Sequence, residues 1–112
     1  MTIAIPSDHG KLTSHFGHCA EFALFDVDAD SGIVTGHHTI AAPPHEPGLL
    51  PKFLSSQNVD VVIAGGMGSR AKALFDQVGI TVITGAPEIS ADEVVKEYLA
   101  GKLKLEPNAC DH

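Results

Sequence analysis

The second half of the chain alternates twice between a β-branched apolar run and an amphipathic stretch. Residues 59–64 and 80–83 form the runs, and each is followed by a turn and by apolar residues spaced three or four positions apart. Continuous β-branched runs are typical of strands that are covered on both faces. Two successive strand–helix units imply parallel strands joined by right-handed crossovers, so the pattern predicts an α/β fold.

The first half predicts an antiparallel addition to this sheet. Residues 2–5 form a short strand that stops at turn residues, and a long polar loop follows from Asp8 to Cys19. Residues 21–27 and 33–40 read as a hairpin, and Leu49, Leu50, Phe53 and Leu54 have helical spacing. The predicted result is a five-stranded mixed sheet in the order 3-2-1-4-5, with strand 2 antiparallel and helices on both faces.

Composition narrows the class of protein. A length of 112 residues with 44% hydrophobic and 19% charged residues suits one globular domain, so we expect a single domain over 1–112 with 102–112 as an extended tail. The net charge of −7 argues against nucleic acid as a partner. We find no signal peptide and no apolar run long enough for a membrane span, so we expect a cytoplasmic protein without a membrane partner.

Histidine is the unusual component, with seven residues against two cysteines. Two predicted loops that should meet at the carboxyl end of the sheet carry most of the candidate metal ligands: His9, His15, His18 and Cys19 in the first loop and His45 in the second. Imidazole and thiolate suit iron, copper, zinc or a metal–sulfur cluster. A solvated histidine-rich loop is the alternative for each residue taken alone.

A glycine-rich turn is predicted at the same end of the sheet. It consists of Gly65, Gly66, Met67 and Gly68, and Arg70 follows in the next helix. Backbone amides at a helix N-terminus bind anions, and Arg70 adds a positive charge. A tight strand-to-helix turn with Met67 in the core is the alternative.

Other histidines and the second thiol are less informative. His37 and His38 are neighbours on one predicted strand, so we expect them to face opposite sides at the surface. Cys110 and His112 lie on a tail that is long enough to return to the site. A frayed terminus is the alternative, and these residues alone favour it.

Four segments together resemble the dinitrogenase iron–molybdenum cofactor family, which includes NifX-type carriers and the C-terminal domain of NifB-type proteins. They are residues 14–19, 44–51, 62–71, and 98–101 with 110–112. The resemblance implies a ribonuclease H-like domain that binds metal–sulfur clusters or their precursors and passes them on without catalysis. It favours His15, Cys19 and His45 as ligands, with residues 65–68 as the cradle.

The residues and the resemblance agree on a carrier of an iron–molybdenum cofactor or related metal–sulfur cluster. Lys11 and Lys72 would reduce the negative electrostatic potential that the protein presents to such an anionic cargo. The partners would be cluster donor and acceptor proteins. The alternative is a module that binds a phosphorylated metabolite or nucleotide through the glycine turn. A nuclease is disfavoured because Asp8 is well placed for metal binding but Asp60 starts its strand at the far end.

Overall fold

The computed structural model describes residues 1–8, 10–13, 21–28, 30–42 and 49–105. Six strands are present in these ranges: β1 (Thr2–Asp8), β2 (Lys11–Leu12), β3 (Glu21–Asp28), β4 (Ile33–Ala41), β5 (Val61–Ile63) and β6 (Thr81–Ile83). The helices described are α1 (Leu49–Ser56), α2 (Ser69–Gln77) and α3 (Ala91–Leu99).

The strands form one mixed sheet. Five of them follow the path β4-β3-β1-β5-β6, and β2 pairs with β1 outside this path. The β1–β5 and β5–β6 pairs are parallel, whereas β1–β3, β3–β4 and β1–β2 are antiparallel. The α/β class and the mixed sheet are confirmed, but the predicted number of five strands is wrong because β2 is an additional strand.

This extra strand lies within the region predicted as a polar loop. Strand β1 continues to Asp8, and the chain turns back so that Ser7 pairs with Leu12. Gly10 allows the tight turn because it adopts a φ of 81°. Pro6 does not end β1: its carbonyl accepts a hydrogen bond from the Thr13 amide at 3.0 Å.

Two apolar clusters lie on opposite faces of the sheet. Alternate residues of β1 contribute to each, with Ile3 and Ile5 in the cluster beneath α3 and Ala4 in the cluster beneath α1 and α2. In β3, Phe25 belongs to the cluster beneath α3 and Leu24 to the cluster beneath α1 and α2. Helices therefore cover both faces.

Local signals in the sequence explain the ends of α2 and α3. The Ser90 hydroxyl accepts a hydrogen bond from the Glu93 amide at 3.3 Å, so Ser90 caps the start of α3 as the predicted capping box requires of its first residue. Gly79 and Gly101 follow α2 and α3 with φ angles of 79° and 72°, which suit residues without a side chain. Leu103, at the start of the predicted tail, packs against the cluster beneath α3.

The longest helices in the described part of the chain have nine residues. None of the helices found there is long and apolar enough to cross a membrane.

Ser7 and Ser90 should respond in opposite directions to replacement by alanine. Ser7 is fully buried, and its hydroxyl has no hydrogen-bond partner among the residues that the structure describes. Removing an unsatisfied buried hydroxyl relieves its desolvation cost, so Ser7→Ala should raise the free energy of unfolding by about 1 kcal/mol. Ser90→Ala removes a helix cap and should lower it by about 1 kcal/mol.

Urea denaturation of the two variants and the wild type measures both effects. The exposed Ser56, whose hydroxyl donates to the Phe53 carbonyl at 2.6 Å, provides a control, and Ser56→Ala should change stability by less than about 0.5 kcal/mol. A loss of stability in Ser7→Ala would contradict the assignment of an unsatisfied hydroxyl.

Candidate functional site

The carboxyl end of β1 is the point to which the predicted loops are attached. Ser7 pairs with Glu21, and Glu21 pairs with Ala41, so these three residues form one row across three strands. Neighbouring strands are about 4.8 Å apart, and the row therefore spans about 10 Å. Thr13 is tied to β1 by its bond to Pro6. Thr13 and Glu21, which flank segment 14–20, thus lie close to Ala41, which comes shortly before segment 43–48.

The predicted metal ligands themselves lie outside the described residues. These are His15, His18, Cys19 and His45, and His9, Cys110 and His112 also lie outside. Within residues 1–8, 10–13, 21–28, 30–42 and 49–105, no three His, Cys, Asp or Glu side chains lie close enough together to hold a metal ion. The ligand set stays a prediction.

The glycine turn is described, and the loop that follows β6 fixes its start. The Gly85 amide donates to the Gly65 carbonyl at 2.9 Å, and the Ala86 amide donates to the Ala64 carbonyl at 3.2 Å. Gly85 is buried and has a φ of 91°, a conformation that other L-residues rarely adopt. The turn after β5 is therefore held by backbone contacts with the neighbouring loop.

The turn leads into a helix without a side-chain cap. Gly68 is extended, with φ −64° and ψ 153°, and its carbonyl accepts the Lys72 amide at 3.1 Å. Among the described residues no side chain caps α2, and the first turn of this helix has no acidic residue. The positive end of the helix dipole is therefore not neutralised by a neighbouring carboxylate in that turn.

Met67 and Arg70 have different environments. The Met67 side chain is buried in the cluster beneath α1 and α2, as the core alternative proposed. Arg70 lies exposed in the first turn of α2. Gly66 is also buried, whereas Gly65 and Gly68 are half-buried. The accessible parts of the predicted cradle are consequently the backbone of Gly65 and Gly68 and the Arg70 guanidinium.

The charges on α1 and α2 also favour an anion at the face of the sheet that these two helices cover. These helices carry Lys52, Arg70 and Lys72 but one acidic residue, Asp76, although the whole chain has a charge of −7. Lys11 lies on β2 next to Leu12, whose side chain packs beneath α3. Because side chains alternate along a strand, Lys11 belongs to the α1–α2 face, as does Asp8, with which it pairs.

A surface cavity of about 360 Å³ lies elsewhere, between α2 and the first residues of β6. Its lining residues are Lys72, Ala73, Asp76, Ile80, Thr81 and Val82. It contains neither the glycine turn nor the row at the end of β1, so it is separate from the predicted site.

His37 and His38 face opposite sides of β4, as predicted. His37 pairs with Phe25 of the cluster beneath α3, and His38 pairs with Leu24 of the other cluster. The His37 ring stacks on Phe25 with centroids 4.3 Å apart, and its Nδ1 lies 3.9 Å from Asp92 Oδ1. His37 therefore has a packing role as well as an exposed surface.

Two features of the site were missing from the sequence interpretation. The first is that the hairpin of β1 and β2 contacts the residues at the start of α3. The Leu12 amide donates to the Ile89 carbonyl at 2.9 Å, and the Ala91 amide donates to the Gly10 carbonyl at 3.1 Å. The contact of Gly85 with Gly65 was also missed. In the sequence, Gly10 and Gly85 were the residues that could have indicated these two contacts.

Comparison with known proteins identifies the family. The family model for the dinitrogenase iron-molybdenum cofactor matches residues 1–101. The chain belongs to this family. The resemblance read from the four sequence segments is confirmed.

The chain is also similar to individual proteins and solved structures. An uncharacterized protein of Methanocaldococcus jannaschii is 31% identical over 109 residues, which cover 93% of this chain and 90% of that protein. The crystal structure of PH0822 has a TM-score of 0.88 at 30% identity and covers 96% of both chains. The apo form of the orange protein from Desulfovibrio gigas has a TM-score of 0.74 at 20% identity, covering 96% and 93%, and shows a shared fold.

Gly85→Ala should destabilise this family member more than Gly79→Ala. Both glycines have positive φ, but Gly79 is exposed with open space around it, whereas Gly85 is buried and bonded to Gly65. We expect losses of about 2 and about 1 kcal/mol in the free energy of unfolding. Urea denaturation checks the values, and wild-type stability in Gly85→Ala would contradict the described turn.

Proposed function

We propose that the protein binds an iron–molybdenum cofactor, or a related metal–sulfur cluster or its precursor, as a cargo and delivers it without catalysing a reaction. Membership of the dinitrogenase iron-molybdenum cofactor family supports this proposal. The observation that carries it is the convergence at the carboxyl ends of the strands. Segment 43–48 and the glycine turn follow β4 and β5, which run in the same direction as β1 and end on the same side of the sheet. Segment 14–20 is flanked there by Thr13, which bonds to Pro6, and by Glu21, which pairs with Ser7.

The proposal assigns two kinds of contact to the cargo. His15, His18, Cys19 and His45 supply nitrogen and sulfur ligands to metal. The backbone amides around Gly65, Gly66, Met67 and Gly68 donate hydrogen bonds to outer sulfides, and Arg70 adds a charge-assisted hydrogen bond. Such contacts suit an anionic cluster because α1 and α2 carry more basic than acidic side chains.

The setting of the protein is part of the same proposal. Residues 1–112 form a single domain with a ribonuclease H-like motif, in keeping with the mixed sheet and its helices. The protein works in the cytoplasm with a cluster donor and a cluster acceptor. Cys110 and His112 are additional thiol and imidazole groups that could join the ligand set if the tail returns to the site.

Anaerobic titration with extracted iron–molybdenum cofactor tests the ligand assignment. We expect His15→Ala and His45→Ala to weaken cofactor binding at least tenfold, because each removes a direct metal ligand. Arg70→Gln should weaken binding roughly threefold, since it removes one exposed charge-assisted contact. His38→Ala is the matched control and should bind like the wild type, because His38 lies on β4 away from the row.

Unchanged binding in both His15→Ala and His45→Ala would remove these residues from the ligand set. Failure of the wild type to bind the cofactor would overturn the carrier function itself. A thermal-shift series with tetrathiomolybdate, inorganic phosphate and ATP then separates the alternatives, since a ligand that binds the native state raises the melting temperature. Stabilisation by ATP alone would replace the carrier with a nucleotide-binding module.

A further inference from the structure

The two edges of the sheet differ in length and protection. Strand β6 has three residues, whereas β4 has nine and contains no charged residue and no proline. Proteins usually protect a long edge with charges, proline or a covering element, because its outward backbone groups can pair with another strand. A bulge near Thr35 interrupts β4, so Gly36 to Ala41 form its longest regular run.

Exposed apolar side chains cluster at the amino end of β4. Ile33 is 62% exposed and Val34 is 38% exposed. Val34 pairs with Val27, which in turn exchanges backbone hydrogen bonds with Met1, another exposed apolar residue. The edge therefore offers backbone pairing and apolar contact area at one place on the surface.

The charge of the hairpin indicates what could occupy this edge. Residues 21–41 contain four carboxylates, Glu21, Asp26, Asp28 and Asp30, and no lysine or arginine. This segment accounts for −4 of the net charge of −7. A second copy would bring an equally negative hairpin to the edge, so electrostatic repulsion disfavours self-pairing. A cationic strand is favoured by the same field.

One carboxylate is positioned to meet a cation at the edge. Asp26 pairs with Gly36, and its Oδ2 lies 3.2 Å from the place where a Gly36 Cβ would be. Its other oxygen accepts a hydrogen bond from the Thr2 hydroxyl at 3.1 Å, on the side away from the edge. Because Gly36 has no side chain, no Cβ at this position separates Asp26 from a strand placed beside β4.

We propose that the outer edge of β4, which pairs with no further strand in the described part of the chain, is a docking site for an extended cationic segment of a partner protein. The segment adds as a strand beside Gly36 to Ala41 and places a lysine or arginine over Gly36, against Asp26. Its apolar side chains cover Ile33 and Val34. Main-chain hydrogen bonds supply affinity in such strand addition, and side-chain contacts supply specificity.

A nine-residue synthetic peptide of alternating lysine and valine is the probe. Titration into ¹⁵N-labelled protein should shift the amide resonances of Gly36 to Ala41 and leave those of β6 unchanged. Fluorescence anisotropy of the dye-labelled peptide should show affinity that falls as salt rises. The matched peptide of glutamate and valine should not bind.

Variants separate charge from shape. Asp26→Asn keeps the oxygen that accepts from Thr2 and should weaken binding of the lysine peptide roughly threefold. The triple variant, which adds Asp28→Asn and Asp30→Asn, should weaken binding about tenfold. Gly36→Ala keeps every charge but places a Cβ beside Asp26, and it should also weaken binding roughly threefold. Circular dichroism confirms that each variant is folded.

The control removes two charges elsewhere, at the exposed Asp76 and Glu88, and should change affinity less than twofold. Equal loss in the control would show attraction by net charge alone and overturn the site. Equal binding of the glutamate peptide, resonance shifts confined to β6, or concentration-dependent dimerisation of the wild type through β4 would each overturn it as well. These outcomes do not depend on cluster binding.

Discussion

Strand β1 is hydrogen-bonded along both sides, and the rest of the structure depends on this arrangement. On one side β3 pairs with it from Thr2 to Ser7, and on the other side β5 pairs first and β2 afterwards. Residues 3–7 are all buried. Thr2 is fixed further at its end, because its amide donates to Asp60 Oδ2 at 2.9 Å and its carbonyl accepts the Asp60 amide at 2.9 Å. Full burial of a side chain the size of Ile3 or Ile5 contributes about 1.5–3 kcal/mol to the free energy of unfolding. Because Ile3 and Ile5 belong to the cluster beneath α3 and Ala4 to the other cluster, β1 takes part in both.

Elements with strong local signals were predictable from the sequence. The capping box fixed the start of α3 at Ser90, and the hairpin of β3 and β4 followed from two β-rich runs around a polar turn. Strand β5 proved shorter than the predicted 59–64. The Val59 amide donates to the Leu54 carbonyl at the end of α1, so this residue belongs to the helix exit rather than to the strand.

Other features depend on contacts between distant residues and left little trace in the local pattern. Strand β2 has two residues, which is too few for a periodicity, and it is held by Ser7 on one side and Ile89 on the other. Pro6 looked like a strand breaker because it lacks an amide donor. Within the candidate site, the glycine turn was predictable, but only the folded chain shows that the Met67 side chain enters the core while Gly85 holds Gly65.

The row of Ser7, Glu21 and Ala41 has a consequence for how sequences of this kind can diverge. Segment 14–20 lies between Thr13, which bonds to Pro6, and Glu21, which pairs with Ser7, so its closure entropy depends only weakly on its length. Substitutions and insertions between Thr13 and Glu21 can then change the side chains that this segment presents while the stability of the sheet changes little. Under the proposed function, the metal ligands lie in segments 14–20 and 43–48 and outside the residues that build the sheet, so selection can alter the ligands while the sheet is kept.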